Sequence, residues 1–147
     1  PYTTLFRSGR GVRITILLQG RIEYRLLHYA TQALYGKLLG AGIRIFEYRR
    51  SFLHAKVAVI DSHWATVGSS NIDPFSLMLA QEANVVVHDE AFAAQLRESL
   101  YQAMREGAEE LPAAHWEQRP LISRLLRWTS YNLVRLAMGL AGYGRKH

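Results

Sequence analysis

Apolar residues along this chain switch between two rhythms, one continuous or alternating and one helical. Val12 to Leu18 (VRITILL) is β-branched and aliphatic throughout and predicts a buried strand. From Glu23 to Leu39 the apolar positions Leu26, Leu27, Ala30, Leu34 and Leu38 recur at helical spacing. Gly40 and Gly42 follow and suit a helix C-terminus. Ile43 to Tyr48 alternates Ile43 and Ile45 against Arg44, which predicts a second strand. Ala55 to Ile60 and Trp64 to Val67 predict two more strands around a turn at Asp61-Ser62-His63, and Asn84 to Val87 a further short one. Asp73-Pro74 reads as a turn or helix start. Glu90 to Arg105 carries Phe92, Leu96, Leu100 and Met104 on one face and predicts an amphipathic helix. Pro112 to Pro120 reads as a linker, and Leu121 to Leu140 as a final helix.

Strand, helix, strand in the first third predicts a parallel βαβ unit. The expected fold class is therefore α/β, with a mostly parallel or mixed central sheet flanked by helices and an amphipathic helix at the C-terminus. Three segments are expected. Residues 1–8 (PYTTLFRS) resemble a translated adapter oligonucleotide and are read as non-native. Residues 9–111 form the folded half-domain. Residues 112–147 are linker and basic helix.

Composition narrows the chemistry. The 147 residues are 49% hydrophobic, enough for one domain with a core. Without cysteine, disulfides, thiolate metal sites and a cysteine nucleophile are excluded. No metal-ligand spacing is visible, so no cofactor is expected. The net charge of +6 is unevenly placed. Arg119 to His147 holds six Lys or Arg and no Asp or Glu, while the rest carries twelve of each sign. The sequence has no signal-peptide pattern and no run of about 18 uncharged apolar residues.

The chemistry is concentrated in His54-Ala55-Lys56-Val57-Ala58-Val59-Ile60-Asp61, followed by Gly68-Ser69-Ser70-Asn71. The pattern is H-x-K-x4-D-x6-G-S-x-N. In an extended chain His54 and Lys56 project to the same side, so an imidazole and an ammonium can converge on one anion. Gly68 permits close backbone approach, and Ser69 and Asn71 can add a hydroxyl and an amide donor. Fixed donors such as Lys56 and Asn71 suit the negative charge that develops on phosphate oxygens. A neutral imidazole serves as nucleophile or acid–base near pH 7, given a partner on its other nitrogen. Glu82 is the candidate partner. The bland alternative for each is a partly exposed strand and turn, and for Glu82 an ordinary strand-start carboxylate. Tyr48 and Phe52 fit either a substrate entrance or packing. His28, His63, His88 and His115 have no matched partners.

This pattern resembles the HKD signature of the phospholipase D superfamily. Beyond it, LLQGR at 17–21, FEYRRSFLHAKVAVID at 46–61 and WATVGSSNIDPFSLMLAQEANVVV at 64–87 are similar to the second half of bacterial cardiolipin synthases. The resemblance implies a phospholipase D-like half-domain and a phosphatidyltransferase working by ping-pong through a phosphatidyl-histidine. His54, Lys56 and Asp61 are then the catalytic set, with Asp61 in structural or electrostatic support. Ser69, Asn71 and Glu82 bind or support phosphate. By analogy with two-motif enzymes His54 is the general acid/base, although one motif leaves nucleophile and acid/base both open. The resemblance also implies a missing N-terminal HKD half, or a second copy, and phosphatidylglycerol-like substrates. The face that meets the missing half should be exposed and apolar. A chain with half a site is expected to be inactive alone.

The tail bears on partners. On a helical wheel Arg124, Arg127, Tyr131 and Arg135 fall on one side, and Leu125, Leu126, Leu133, Leu136, Ala137 and Leu140 on the other, with Trp128 near the polar side. Basic residues beside a broad apolar face fit an interfacial helix on anionic lipid, and its three arginines argue against a span. The expected location is the bacterial inner membrane, held peripherally. A nucleic-acid groove would instead scatter Lys and Arg over the domain, so no nucleic acid is expected. Two other readings remain at this point: a metal-independent nuclease completed by homodimerisation, and a non-catalytic lipid-binding fragment.

Overall fold

The computed structural model describes residues 7–22, 24–69 and 82–143. Its elements in chain order are β1 (Thr15–Gln19), α1 (Arg25–Gln32), α2 (Tyr35–Gly40), β2 (Arg44–Tyr48), β3 (Val57–Ile60), β4 (Trp64–Gly68), β5 (Asn84–His88), α3 (Glu90–Gly107), β6 (Ala108–Glu110), α4 (Ala113–Glu117) and α5 (Leu121–Tyr143). The class is mixed α/β, as the hydrophobic rhythm predicts. Instead of one central sheet there are two three-stranded sheets, ordered β1-β2-β6 and β3-β4-β5. In the first, β1 and β2 pair in parallel and β6 adds antiparallel to β2. In the second, all pairs are antiparallel. Helix α3 lies against strands of both sheets. The expected turn or helix start at Asp73-Pro74 lies outside the described residues, as do Ser70, Ser76 and positions 1–6 of the N-terminal octapeptide. The hydroxyl of Ser8 donates to the carbonyl of Ala41.

The single helix expected over 23–39 is two. At the break, Ala33 N–H reaches Ala30 O at 3.3 Å and Leu34 N–H reaches Thr31 O at 3.1 Å, the tighter i→i−3 pattern. The break turns Tyr35, only 2% exposed, into the core. Helix α2 ends in a Schellman motif: Ile43 N–H donates to Leu38 O at 3.1 Å and Gly42 N–H to Leu39 O at 2.9 Å. Gly42 sits at φ +78, a conformation that costs residues with a Cβ about 1–2 kcal/mol. The glycine expected to stop this helix does so. Asp89 caps α3 by accepting from Phe92 N–H at 2.7 Å. Its packed side runs through Ala93, Leu96, Leu100, Ala103 and Met104, while Phe92 is largely exposed.

The core is a small cluster of Tyr35, Leu39, Ile45 and Trp116, with Leu18, Leu38 and Leu111 packed against it. The Tyr35 and Trp116 rings lie 5.1 Å apart in a tilted pair. Segment 112–120, expected to be a bare linker, therefore carries helix α4 and inserts a core residue. Burying an aromatic side chain here contributes about 1.5–3 kcal/mol toward holding the segment on the core. A carboxylate shares the interior. Glu47 follows Ile43 and Ile45 on the inward face of β2 and is 2% exposed. Arg49 donates to it at 2.7 Å and Gln32 at 3.5 Å. That bond to Glu47 raises the Arg49 pKa. Burial, reinforced by the Glu47 charge, pushes the Tyr35 phenol up.

Helix α5 packs on α1 through its polar side. Arg127 and Ser130 are the buried residues, each 5% exposed. Leu125, Leu126, Leu133 and Leu136 face outward, as do Leu121, Ile122 and Trp128. Among the described residues no helix is long and apolar enough to cross a membrane.

If Trp116 holds segment 112–120 to the core, Trp116→Ala should destabilise the chain by about 3–5 kcal/mol in urea denaturation. A loss under about 1 kcal/mol would show α4 to be only loosely attached.

Candidate active site

His54 and Lys56 lie in the extended segment that enters β3, rather than within the strand. The ladder nevertheless reaches them, since Gly68 N–H donates to Lys56 O at 3.0 Å. The two-residue alternation places them on the side of Ala58 and Ile60. Across the sheet, Ala58 pairs with Thr66, which pairs with Val86. Ala58, Ile60 and Val86 are exposed on this face, so the candidate site borders an open apolar surface.

The pair itself is made. Lys56 Nζ lies 2.5 Å from His54 Nε2. An ammonium has no lone pair, so Nζ donates and Nε2 accepts, which leaves the ring proton on Nδ1. His54 is exposed and Lys56 half-buried. Nε2 is thus the basic ring atom, and its lone pair becomes available when the Lys56 ammonium turns from it to the oxygen of an arriving anion.

Two groups far back in the chain position this segment. Gln19, at the end of β1, accepts the backbone N–H of Leu53 through Oε1 at 3.3 Å. Arg21 donates to the carbonyls of Arg49 at 2.9 Å and Arg50 at 2.7 Å. Its guanidinium also lies 5.7 Å from the centre of the exposed Phe52 ring. On the far side, Gly107 O accepts Arg49 N–H at 2.7 Å. Gln19 and Arg21 were not among the residues singled out from sequence. Their signal was the LLQGR segment, which carried resemblance but no evident chemistry.

The remaining candidates divide by position. Gly68 and Ser69 stand at the same sheet end as Lys56. A Cβ on Gly68 would lie 1.9 Å from Asn84 Oδ1 and 2.5 Å from Ala83 O, so only glycine fits. The Ser69 hydroxyl accepts Ala83 N–H at 3.0 Å and faces Ala83 O at 3.4 Å. It closes the β4–β5 junction in this arrangement and is not aimed at the His54 ring. Glu82 is half-buried beside that junction and, among the described residues, makes no hydrogen bond to His54. Asn71 lies outside the described residues. Asp61 is at the opposite end of β3, in the turn to β4, at φ 52. Five extended residues from Lys56 amount to about 17 Å, so it does not join the pair. Among the described residues no three His, Asp or Glu gather as a metal site would require.

The candidate site is therefore an exposed imidazole–ammonium pair at a sheet end, preceded by a braced crossing and followed by a glycine-tight strand junction. The family described as "Cardiolipin synthase, PLD-like domain" matches residues 7–104, and the chain belongs to that family. Among curated relatives it is similar to "Cardiolipin synthase B" of Escherichia coli, 50% identical over 93 residues that cover 63% of this chain and 22% of that protein. It is also similar to "Cardiolipin synthase A" of Proteus mirabilis, 33% identical over 122 residues, 83% of this chain and 25% of the relative. "Cardiolipin synthase" of Clostridium perfringens is 30% identical over 115 residues, 78% of this chain and 24% of the relative. The chain thus spans about a quarter of the length of these relatives.

If the role of Asp61 is to make its turn, Asp61→Gly should keep stability within about 0.5 kcal/mol of the parent. Asp61→Val should lose about 1–2 kcal/mol, because a β-branched residue resists positive φ. Equal losses in thermal denaturation would mean the carboxylate itself is needed.

Proposed function

We propose that this chain is the C-terminal catalytic half of a cardiolipin synthase-type phosphatidyltransferase, one that moves a phosphatidyl group between lipid headgroup alcohols. The observation that carries this reading is the contact of Lys56 Nζ with His54 Nε2 on an exposed sheet face inside the family-matched residues. The chain supplies one histidine; the other belongs to the N-terminal half of the longer protein. The exposed apolar residues Ala58, Ile60 and Val86 beside the pair support that half as the neighbour.

The transfer proceeds in two steps. The nucleophilic histidine forms a bond from Nε2 to phosphorus, the phosphorus–oxygen bond to the departing headgroup breaks, and the leaving oxygen takes a proton from the second histidine. The acceptor alcohol then returns a proton to that second histidine and bonds to phosphorus, and the phosphorus–nitrogen bond breaks. By the resemblance His54 is the acid/base partner. In either role it must present Nε2 to the reacting oxygen or phosphorus. Lys56 stabilises charge on the phosphate oxygens, with Asn71 as second donor, and Glu82 and Ser69 support the site's edge. Asp61 acts at a distance by holding the β3–β4 turn.

The substrate is a phosphatidylglycerol-like lipid, met peripherally at the bacterial inner (cytoplasmic) membrane. The outward Leu121, Ile122, Leu125, Leu133 and Leu136 of α5 favour an interfacial placement of that helix. Alone, the chain is expected to bind but not to turn over.

In the full-length protein that carries this half, His54→Ala should lower phosphatidyl transfer by at least about a thousandfold in a labelled-phosphatidylglycerol assay, and Lys56→Ala by about 100-fold or more. A His54→Ala enzyme that retains transfer would sink the assignment.

A further inference from the structure

The cation that the fold buries in the tail is not in the candidate active site. Arg127 is 5% exposed. Its guanidinium donates to Ser123 Oγ at 2.7 Å and lies 4.5 Å from the centre of the Trp116 ring. Arg119 lies over the same ring at 4.3 Å. No carboxylate among the described residues pairs with Arg127. Burial, reinforced by the positive charges of Arg119 and Arg124, pushes its pKa down. Buried cations are ordinarily paired, and leaving one unpaired costs several kcal/mol. A guanidinium has five N–H donors, and the Ser123 bond occupies one of them.

Arg127 borders a cleft of about 1330 Å³ between α1, α2 and α5. Its cations are Lys37, Arg124, Arg127 and Arg135, and among the described residues no Asp or Glu lines it. Interleaved with the arginines along α5 are Leu121, Leu125 and Trp128, which continue the outward apolar side of that helix. The same cleft therefore offers cations to a phosphate anion and apolar side chains to the hydrocarbon beside it. Arginine forks match phosphate oxygens in pairs of hydrogen bonds, and cation–π contacts hold two of these arginines, Arg127 on Trp116 and Arg135 on Tyr131.

We propose that this cleft binds the phosphate of an anionic phospholipid headgroup, at a site separate from His54, and so anchors the half-domain to the membrane. The proposal rests on the interfacial reading of α5 given above and deepens it by naming the group that is recognised. It requires no turnover.

The test is vesicle co-sedimentation of the full chain with two liposome compositions, pure phosphatidylcholine and equal parts phosphatidylglycerol and phosphatidylcholine. Lys37→Gln/Arg124→Gln removes two exposed cations of the cleft. Arg13→Gln/Arg105→Gln removes the same charge from exposed positions outside it. The first variant should lose about thirtyfold in affinity for the phosphatidylglycerol vesicles, and the second should lose less than about threefold. Arg127→Met should lose affinity while its circular dichroism and thermal midpoint match or exceed the parent's, because an unpaired buried cation has been removed. Inorganic phosphate and glycerol phosphate should leave tryptophan fluorescence unchanged at millimolar concentration.

Equal binding to both vesicle types overturns the proposal, as does equal loss in the two double variants. A fluorescence titration by inorganic phosphate that saturates as readily as the vesicles reassigns the cleft to a soluble phosphate and overturns the lipid anchor. An active His54→Ala enzyme would overturn the transferase reading and leave these binding results unmoved.

Discussion

Everything about the candidate site depends on how the chain crosses from the first sheet to the second between Tyr48 and Val57. A crossing has no ladder partner of its own, and its backbone groups must be satisfied some other way. Arg21 supplies two bonds to the carbonyls of Arg49 and Arg50, Gln19 takes the N–H of Leu53, and Gly107 O takes the N–H of Arg49. The chain that emerges from this bracing delivers His54 and then Lys56 to the end of the second sheet. Gly68 N–H bonds Lys56 O there, and the lysine reaches the ring nitrogen. The candidate pair is thus held by bonds to the main chain on either side of it. Among the described residues the two side chains contact each other, and His54 is exposed.

The same economy governs the interior. The described core is small, and it is completed by a tryptophan more than seventy residues away from the strand it covers. Trp116 faces Tyr35 on one hand and is contacted by Arg119 and Arg127 on the other. The ring therefore joins the half-domain to its basic tail. Packing an arginine inward leaves the leucines of α5 outward, the reverse of what a soluble domain prefers. That reversal is intelligible if the outward face meets lipid instead of water, and if the inward cations meet an anion that a lipid carries.

A division of labour follows. Residues 7–104 match the family model and carry the His54–Lys56 pair with an apolar face beside it. The tail provides positive charge and exposed hydrocarbon. On our reading, phosphatidyl transfer brings two histidines to one phosphorus at a membrane, and this chain contributes one of the histidines and the hold on the membrane.

Sequence by itself determined most local elements and the candidate set. Strands β1 to β5, the amphipathic α3, the Gly42 stop and the H-x-K-x4-D pattern are legible because they rest on two- and 3.6-residue periodicity and on turn chemistry within a few positions, whereas the three-residue β6 carries no such pattern. The class of fold followed from their order. Only the tertiary structure decided that the strands form two sheets, that α4 inserts Trp116, that Arg127 turns inward, that Ser69 spends its hydroxyl on Ala83, and that Asp61 stands far from His54. It also decided that Gln19 and Arg21 brace a loop about thirty residues away. Each of these is a contact between residues distant in the chain, and periodicity carries no information about which distant groups will meet. Burial and hydrogen-bond satisfaction select those partners, and they act only once the chain is folded.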